Sequence, residues 1–215
     1  MVPAMITEGS QQAHTTVDLS PAIAALDLER RLRETPAAAG MRGIWFTMTA
    51  DYMRRLGPAV DLAWRAAVRV PSRTIFRMYS LREYLNEVAF AAAILEPSNP
   101  LEGLRAIWRN TPRHYTSSAI GRSCLRFLRP EPLPAWRWCE RHREHFCNYG
   151  AWRLEVRSDD YVIMHYFDEY TWIEGAHRGG AEALLEACGV EGSAEPELTS
   201  RYAGRMHVRW KAPRH

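Results

Sequence analysis

After Gly150 the apolar residues change their period, and no other feature of the sequence constrains the fold as much. Before that point they recur every three or four residues, the spacing of helices with one buried face. After it, Trp152, Leu154 and Val156 alternate with Arg153, Glu155 and Arg157, the period of a half-buried strand. Ser158-Asp159-Asp160 supplies a turn, and Tyr161 to Phe167 reads as the returning strand. A helix from Tyr170 to Cys188 follows, closed by Gly189. Alternation then returns over Glu197 to Tyr202 and Met206 to Trp210, around a turn at Ala203-Gly204. The order predicts an α+β fold: an N-terminal helical lobe packed on a C-terminal antiparallel sheet, with one helix between its two hairpins.

Within the helical block, Ser20-Pro21 opens a short helix through Arg33, and Pro36 to Gly40 reads as a linker. Residues 1–18 are polar and read as flexible. The sequence therefore divides into a leader over 1–40 and a single ligand-binding-like domain over 41–213. Ile44, Met48, Tyr52 and Leu56 mark one face of the domain's first helix, which Gly57-Pro58 closes. Leu62, Ala66 and Val70 mark the second. Ser80-Leu81-Arg82-Glu83 has the form of a capping box for a helix running along Tyr84, Val88, Ala91 and Leu95. Asn99-Pro100 starts a helix on which Leu104, Ile107 and Trp108 share a face. Further helices are expected from His114 to Leu128 and from Ala135 to Phe146, with prolines between them.

The net charge of +3 is mild, and the arginines are interspersed with acids, so no basic block points to nucleic acid. The longest apolar run, Val88 to Leu95, is far shorter than a membrane span, and no apolar export signal opens the chain. A cytoplasmic location is therefore expected. The four cysteines, at 124, 139, 147 and 188, form no CxxC pair, and no metal site is expected from them. The densest group of ligand-type residues is Cys139, His142, His145 and Cys147. It reads as part of an amphipathic helix whose role is left open. His165, Asp168 and Glu169 stand at a strand end, where alternation separates His165 from Asp168, so they read as a surface cluster. The chain carries no complete catalytic motif.

From Met41 to Pro213 the sequence resembles the haem nitric oxide/oxygen-binding domain and the related four-vinyl-reductase domain, and more closely an uncharacterised paralogous family of myxobacteria. The local matches are Arg42-Gly43-Ile44-Trp45-Phe46, Tyr79 to Leu85, Ile120-Gly121-Arg122, Met164-His165-Tyr166-Phe167 and Arg205 to Trp210. The resemblance to the haem domains implies an iron-ligating histidine on the helix before the first hairpin, with His142 the candidate and His145 second. It also implies a Tyr-x-Ser-x-Arg clamp for the haem propionates, but the matching stretch reads Tyr166-Phe167-Asp168-Glu169-Tyr170. Asp168 replaces the serine and Tyr170 the arginine, which adds an acid and removes the cation beside two carboxylates. The cysteines of the four-vinyl-reductase type are missing from the last hairpin.

The resemblance implies an apolar space between helices and sheet, and the eight tryptophans supply the rings to line it. Trp45, Trp138, His142, Tyr166 and Trp172 are the expected ligand-binding residues, and no catalytic residue is assigned. The expected function is a non-enzymatic sensor or regulatory module with no cofactor. The alternatives are a small-molecule enzyme of secondary metabolism and a haem-based gas sensor using His142. The partner classes left open are a small apolar or aromatic ligand, a protein partner and a second copy forming a homodimer, but not nucleic acid or a membrane.

Overall fold

The structure is a computed structural model that describes residues 18–117 and 131–211, with only the backbone described for 111–117. Most of the leader's polar stretch, Cys124, Ile120-Gly121-Arg122 and the His114–Leu128 helix beyond Ser117 lie outside the described residues. The helical layer consists of α1 (Ser20–Ala25), α2 (Leu28–Glu34), α3 (Gly43–Arg55), α4 (Pro58–Ala67), α5 (Leu81–Leu95) and α6 (Pro100–Ser117). A two-stranded ladder, β1 (Gly40–Arg42) with β2 (Met78–Ser80), is added to what the sequence pattern predicts. Next come α7 (Pro132–Arg141) and a 3-10 turn at Arg143–His145, then the hairpin β3 (Ala151–Ser158) and β4 (Tyr161–Phe167). A π-helical turn at Ile173–His177 leads into α8 (Arg178–Ala187), and β5 (Gly192–Ser200) and β6 (Ala203–Trp210) end the fold.

The four long strands form one antiparallel sheet in the order β3-β4-β6-β5, as the alternation requires. One face, with Val162, Met164 and Tyr166 of β4 and Met206 and Val208 of β6, packs on α8 and forms the smaller core. The larger core lies among the helices, around α5, where Tyr84, Leu85, Val88 and Ala91 are buried as expected. On α6, Leu104, Ile107 and Trp108 are likewise buried. The helical layer and the sheet layer meet where α6 lies along α8. A side chain at Gly179 would strike the Arg105 carbonyl, so glycine there permits the close approach. Arg105 then spans the same seam to Glu182, with nitrogen–oxygen distances of 2.8 and 2.7 Å.

Several local expectations change. The helix expected from Ser20 to Arg33 breaks in two at Asp27, whose φ is 53°. On α3 the residues turned into the larger core are Phe46 and Met53, while Ile44 and Met48 face the sheet side and Leu56 is exposed. On α4, Trp64 is buried and Leu62 faces solvent, because the Trp64 indole N–H donates to the Glu87 carbonyl at 2.9 Å and fixes the helix's roll. Ser80 makes no side-chain cap bond. Glu83 is drawn instead to Arg73, 2.6 Å away. The helix that begins at Pro100 continues through Pro112 without a break.

Residues 18–40 add Leu26 and Leu28 to the larger core, and the Trp172 indole N–H donates to the Leu26 carbonyl at 2.9 Å. The proposed division at residue 41 is therefore one of sequence pattern rather than of packing. No helix among the described residues is long and apolar enough to cross a membrane.

Two buried carboxylates give the stability a predictable pH dependence. Glu87 lies 2.7 Å from the Arg73 guanidinium, and both side chains are buried. Burial raises the Glu87 carboxyl to about 7, more than Arg73 lowers it. Glu169 goes the other way. Burial alone would raise it, but His177 beside it and hydrogen bonds from Thr171 and Trp152 hold it at about 2. Between pH 4.5 and 7 the folded chain keeps a proton on Glu87 that the unfolded chain has lost, so stability falls as pH rises through that window. As pH falls from 4.5 towards 2, the unfolded chain protonates Glu169 first, and stability falls again. Urea midpoints should therefore peak near pH 4.5–5 and lose up to about 3 kcal/mol of stability by pH 8. Glu87→Gln should flatten the neutral limb. A midpoint that rises steadily from pH 5 to 8 would show the Glu87 term to be wrong.

Candidate functional site

Between the helical layer and the sheet lies a cavity of about 180 Å³. Five of the chain's eight tryptophans line it: Trp45 from α3, Trp108 from α6, Trp136 and Trp138 from α7, and Trp152 from β3. They converge because the segment after α7 is stitched to the start of α3. The Arg42 N–H donates to the Phe146 carbonyl at 2.8 Å, and the Asn148 N–H donates to the Gly40 carbonyl at 3.2 Å. That seam sets Phe146 edge-on to Trp45, and Trp45 stacks on Trp108 with ring centres 4.5 Å apart. Below the rings, the sheet contributes Met164 and Tyr166, and α8 contributes the small residues Gly180 and Ala181.

Besides the indole N–H groups of the tryptophans, of which those of Trp45 and Trp136 are buried without a partner, the lining residues that carry polar side-chain groups are Tyr166, Cys139 and His177. Burial pushes the Cys139 thiol up to about 12 and the Tyr166 phenol well above its ordinary value, so both remain protonated and neutral. His177 belongs to a buried polar network. Its Nε2 lies 2.9 Å from Thr171 Oγ1 and 3.2 Å from Glu169 Oε2. Glu169 is fully buried and also accepts from the Trp152 indole N–H at 2.9 Å, the Thr171 N–H at 3.1 Å and the Thr171 hydroxyl at 2.6 Å. The His177 ring is enclosed by Trp108, Trp152 and Tyr166, with ring centres 4.4–5.3 Å away.

Local chain geometry puts these two residues together. Asp168 adopts a left-handed φ of 50° at the end of β4, which breaks the strand's alternation and turns the next side chain inward. Asp168 itself is exposed, so the acid that the chain buries at this strand end is Glu169. The π-helical turn then widens the helix start and delivers His177 to the cavity, a kind of irregularity often found at functional sites. His165 points to the opposite face of the sheet and pairs with Glu155 at 2.8 Å, as the alternation implies.

Of the residues expected to bind a ligand, Trp45, Trp138 and Tyr166 line the cavity and two do not. Trp172 is a core residue packed against α1 and α2, with the Arg31 guanidinium 4.9 Å from its ring centre. His142 stands behind the cavity wall. Its ring stacks between Trp138 and His145, and Nδ1 lies 3.0 Å from the Trp138 carbonyl. Cys139 faces the cavity while the Cys147 thiol lies 3.6 Å from the Arg143 guanidinium, so the Cys139–Cys147 stretch does not converge. Among the described residues, no three His, Cys, Asp or Glu side chains are grouped to hold a metal ion. Sequence reasoning missed His177, because only the break at Asp168 brings the buried acid to it.

Comparison with known proteins places this geometry in context. The fold is similar to the unliganded Fe(II) H-NOX protein of K. algicida, with a TM-score of 0.62 at 13% identity over 81% of this chain and 99% of that one. The IWP-051-bound H-NOX of Shewanella woodyi gives 0.62 at 13% identity, covering 81% and 96%. An oxygen-binding H-NOX domain related to soluble guanylate cyclases gives 0.54 at 12%, covering 80% and 93%. These identities establish the fold alone. A search of curated proteins returns no match. The family model described as "Protein of unknown function (DUF2378)" matches residues 37–211, and the chain belongs to that family.

Proposed function

We propose that this member of the family, built on an H-NOX-like fold, is a non-enzymatic sensor or regulatory module that binds a small apolar or aromatic molecule between its helices and its sheet. The cavity of about 180 Å³ with its five tryptophans carries the reading. An apolar cavity of about 150 Å³ stays dry and accepts benzene, so this one suits a molecule of one or two rings. An occupant would touch α3, α6, α7, α8 and the sheet together, and would stabilise whichever arrangement of the two layers fits it best. The cytoplasmic location belongs to the same proposal.

The haem implied by the resemblance does not fit the described residues. A macrocycle is several times larger than the benzene-sized occupant the cavity suits. His142, the expected iron ligand, is not among the lining residues. No Arg or Lys among the described residues lines the cavity to meet a propionate. Haemin titrated into the purified protein should therefore give no sharp, saturable Soret shift at one equivalent. A one-equivalent shift abolished by His142→Ala would reverse this and make the protein a haem-based sensor. The binding reading is tested by native mass spectrometry of freshly purified protein, read beside tryptophan fluorescence during titration with one- and two-ring aromatic compounds. Saturable quenching with a matching mass increment is expected, and its absence across the series would refute the reading.

A further inference from the structure

The hydrogen bonding around His177 fixes which chemical face the ring turns to the cavity. Thr171 Oγ1 has one proton, and at 2.6 Å from the ionised Glu169 Oε1 that proton must lie between the two oxygens. Towards His177 Nε2, 2.9 Å away, the same oxygen can then only accept. Glu169 Oε2, 3.2 Å from Nε2, also only accepts. Nε2 must therefore carry the hydrogen, as an imidazole does when a carboxylate orients it from behind. In the neutral ring this leaves the lone pair on Nδ1. No hydrogen bond reaches Nδ1 among the described residues, although the side chain is 4% exposed and lies in the cavity wall. The Tyr166 hydroxyl can donate or accept, so it sets no preference. His177 does.

We propose that the cavity selects a flat, neutral compound of one or two aromatic rings that donates one N–H or O–H hydrogen bond to His177 Nδ1, with Glu169 and Thr171 as the positioning residues that hold the ring's tautomer. This rests on the reading that the cavity binds a small apolar molecule, and adds to it a required donor. The tryptophan rings supply stacking and exclude water, while the single acceptor fixes orientation, the usual division of labour in a small-molecule site. A ring without a donor would fill the same space but leave Nδ1 buried and unpaired, which costs about as much as a lost hydrogen bond.

Indole and benzofuran form a matched pair of probes, equal in shape, one with an N–H where the other has an ether oxygen. Both are titrated into the full chain, with isothermal titration calorimetry and native mass spectrometry as readouts. Indole should bind about tenfold tighter than benzofuran. His177→Gln keeps a donor towards Glu169 but places nothing where Nδ1 stood, and should bind the two probes equally. Equal binding by the unaltered protein overturns the inference and leaves the aromatic-binding reading standing. If neither probe binds, both fail. The comparison on the unaltered protein decides the matter even if the variant does not fold.

Discussion

Glu169→Ala should cost about 3–5 kcal/mol of unfolding free energy, because it leaves several buried hydrogen-bond donors without an acceptor, each at about 1–3 kcal/mol. Four donors lose their acceptor at once: the Trp152 indole, both Thr171 groups and His177 Nε2. None of them can reach water without opening the interface between sheet and helices. In a domain of this size the loss corresponds to a drop of about 10–15 °C in Tm. Glu169→Gln keeps the shape and one acceptor oxygen and should recover part of the loss. Urea denaturation followed by circular dichroism measures both variants at neutral pH. A loss below about 1 kcal/mol for the alanine variant would mean that the carboxylate is hydrated in solution.

Removal of residues 1–40 should be more damaging still, and should abolish a cooperative thermal transition. Leu26 and Leu28 are nearly fully buried, and truncating one buried leucine typically costs about 2–5 kcal/mol. The deletion also strips Arg31, whose guanidinium donates to the Tyr170 carbonyl at 3.0 Å and covers Trp172. The freed Trp172 indole then loses the Leu26 carbonyl. Removing residues 1–17 alone should leave Tm nearly unchanged, since Thr7 to Thr16 carries Ala13 as its one apolar side chain and offers little surface to bury. Differential scanning calorimetry of the two truncations separates these outcomes. A normal transition in the 1–40 deletion would show that α1 and α2 are not part of the cooperative unit.

The pattern of apolar residues decided the order of elements, because side-chain periods of two and of about 3.6 are local properties of a strand and a helix. Trp152, Leu154, Met164 and Tyr166 all face the sheet's inner side on that ground alone. The faces of α5 and α6 were legible for the same reason, since each is surrounded and its apolar positions are all used. On α3 and α4 the apolar residues exceed the space available to bury them. Leu56 and Leu62 therefore lose to Met53 and Trp64, and only the packing of neighbouring helices made that choice.

The candidate site was legible in part. Aromatic residues at Trp45, Trp138 and Tyr166 followed from the resemblance and do share the cavity wall. His142 was expected in the site because the resemblance implies an iron-ligating histidine on that helix, but it stacks behind Trp138 instead of lining the cavity. Glu169 and His177 carry no signature, since an acid at a strand end and a histidine in a helix are each ordinary on a surface. A positive φ at Asp168 and one widened helical turn bury both, and burial is what makes a carboxylate and an imidazole seek each other. The sequence by itself determined the succession of helices and strands and the sheet's inner face, which depend on neighbours a few residues away. The tertiary structure alone decided the cavity's polar group, because that depends on which buried charge finds a partner across the fold.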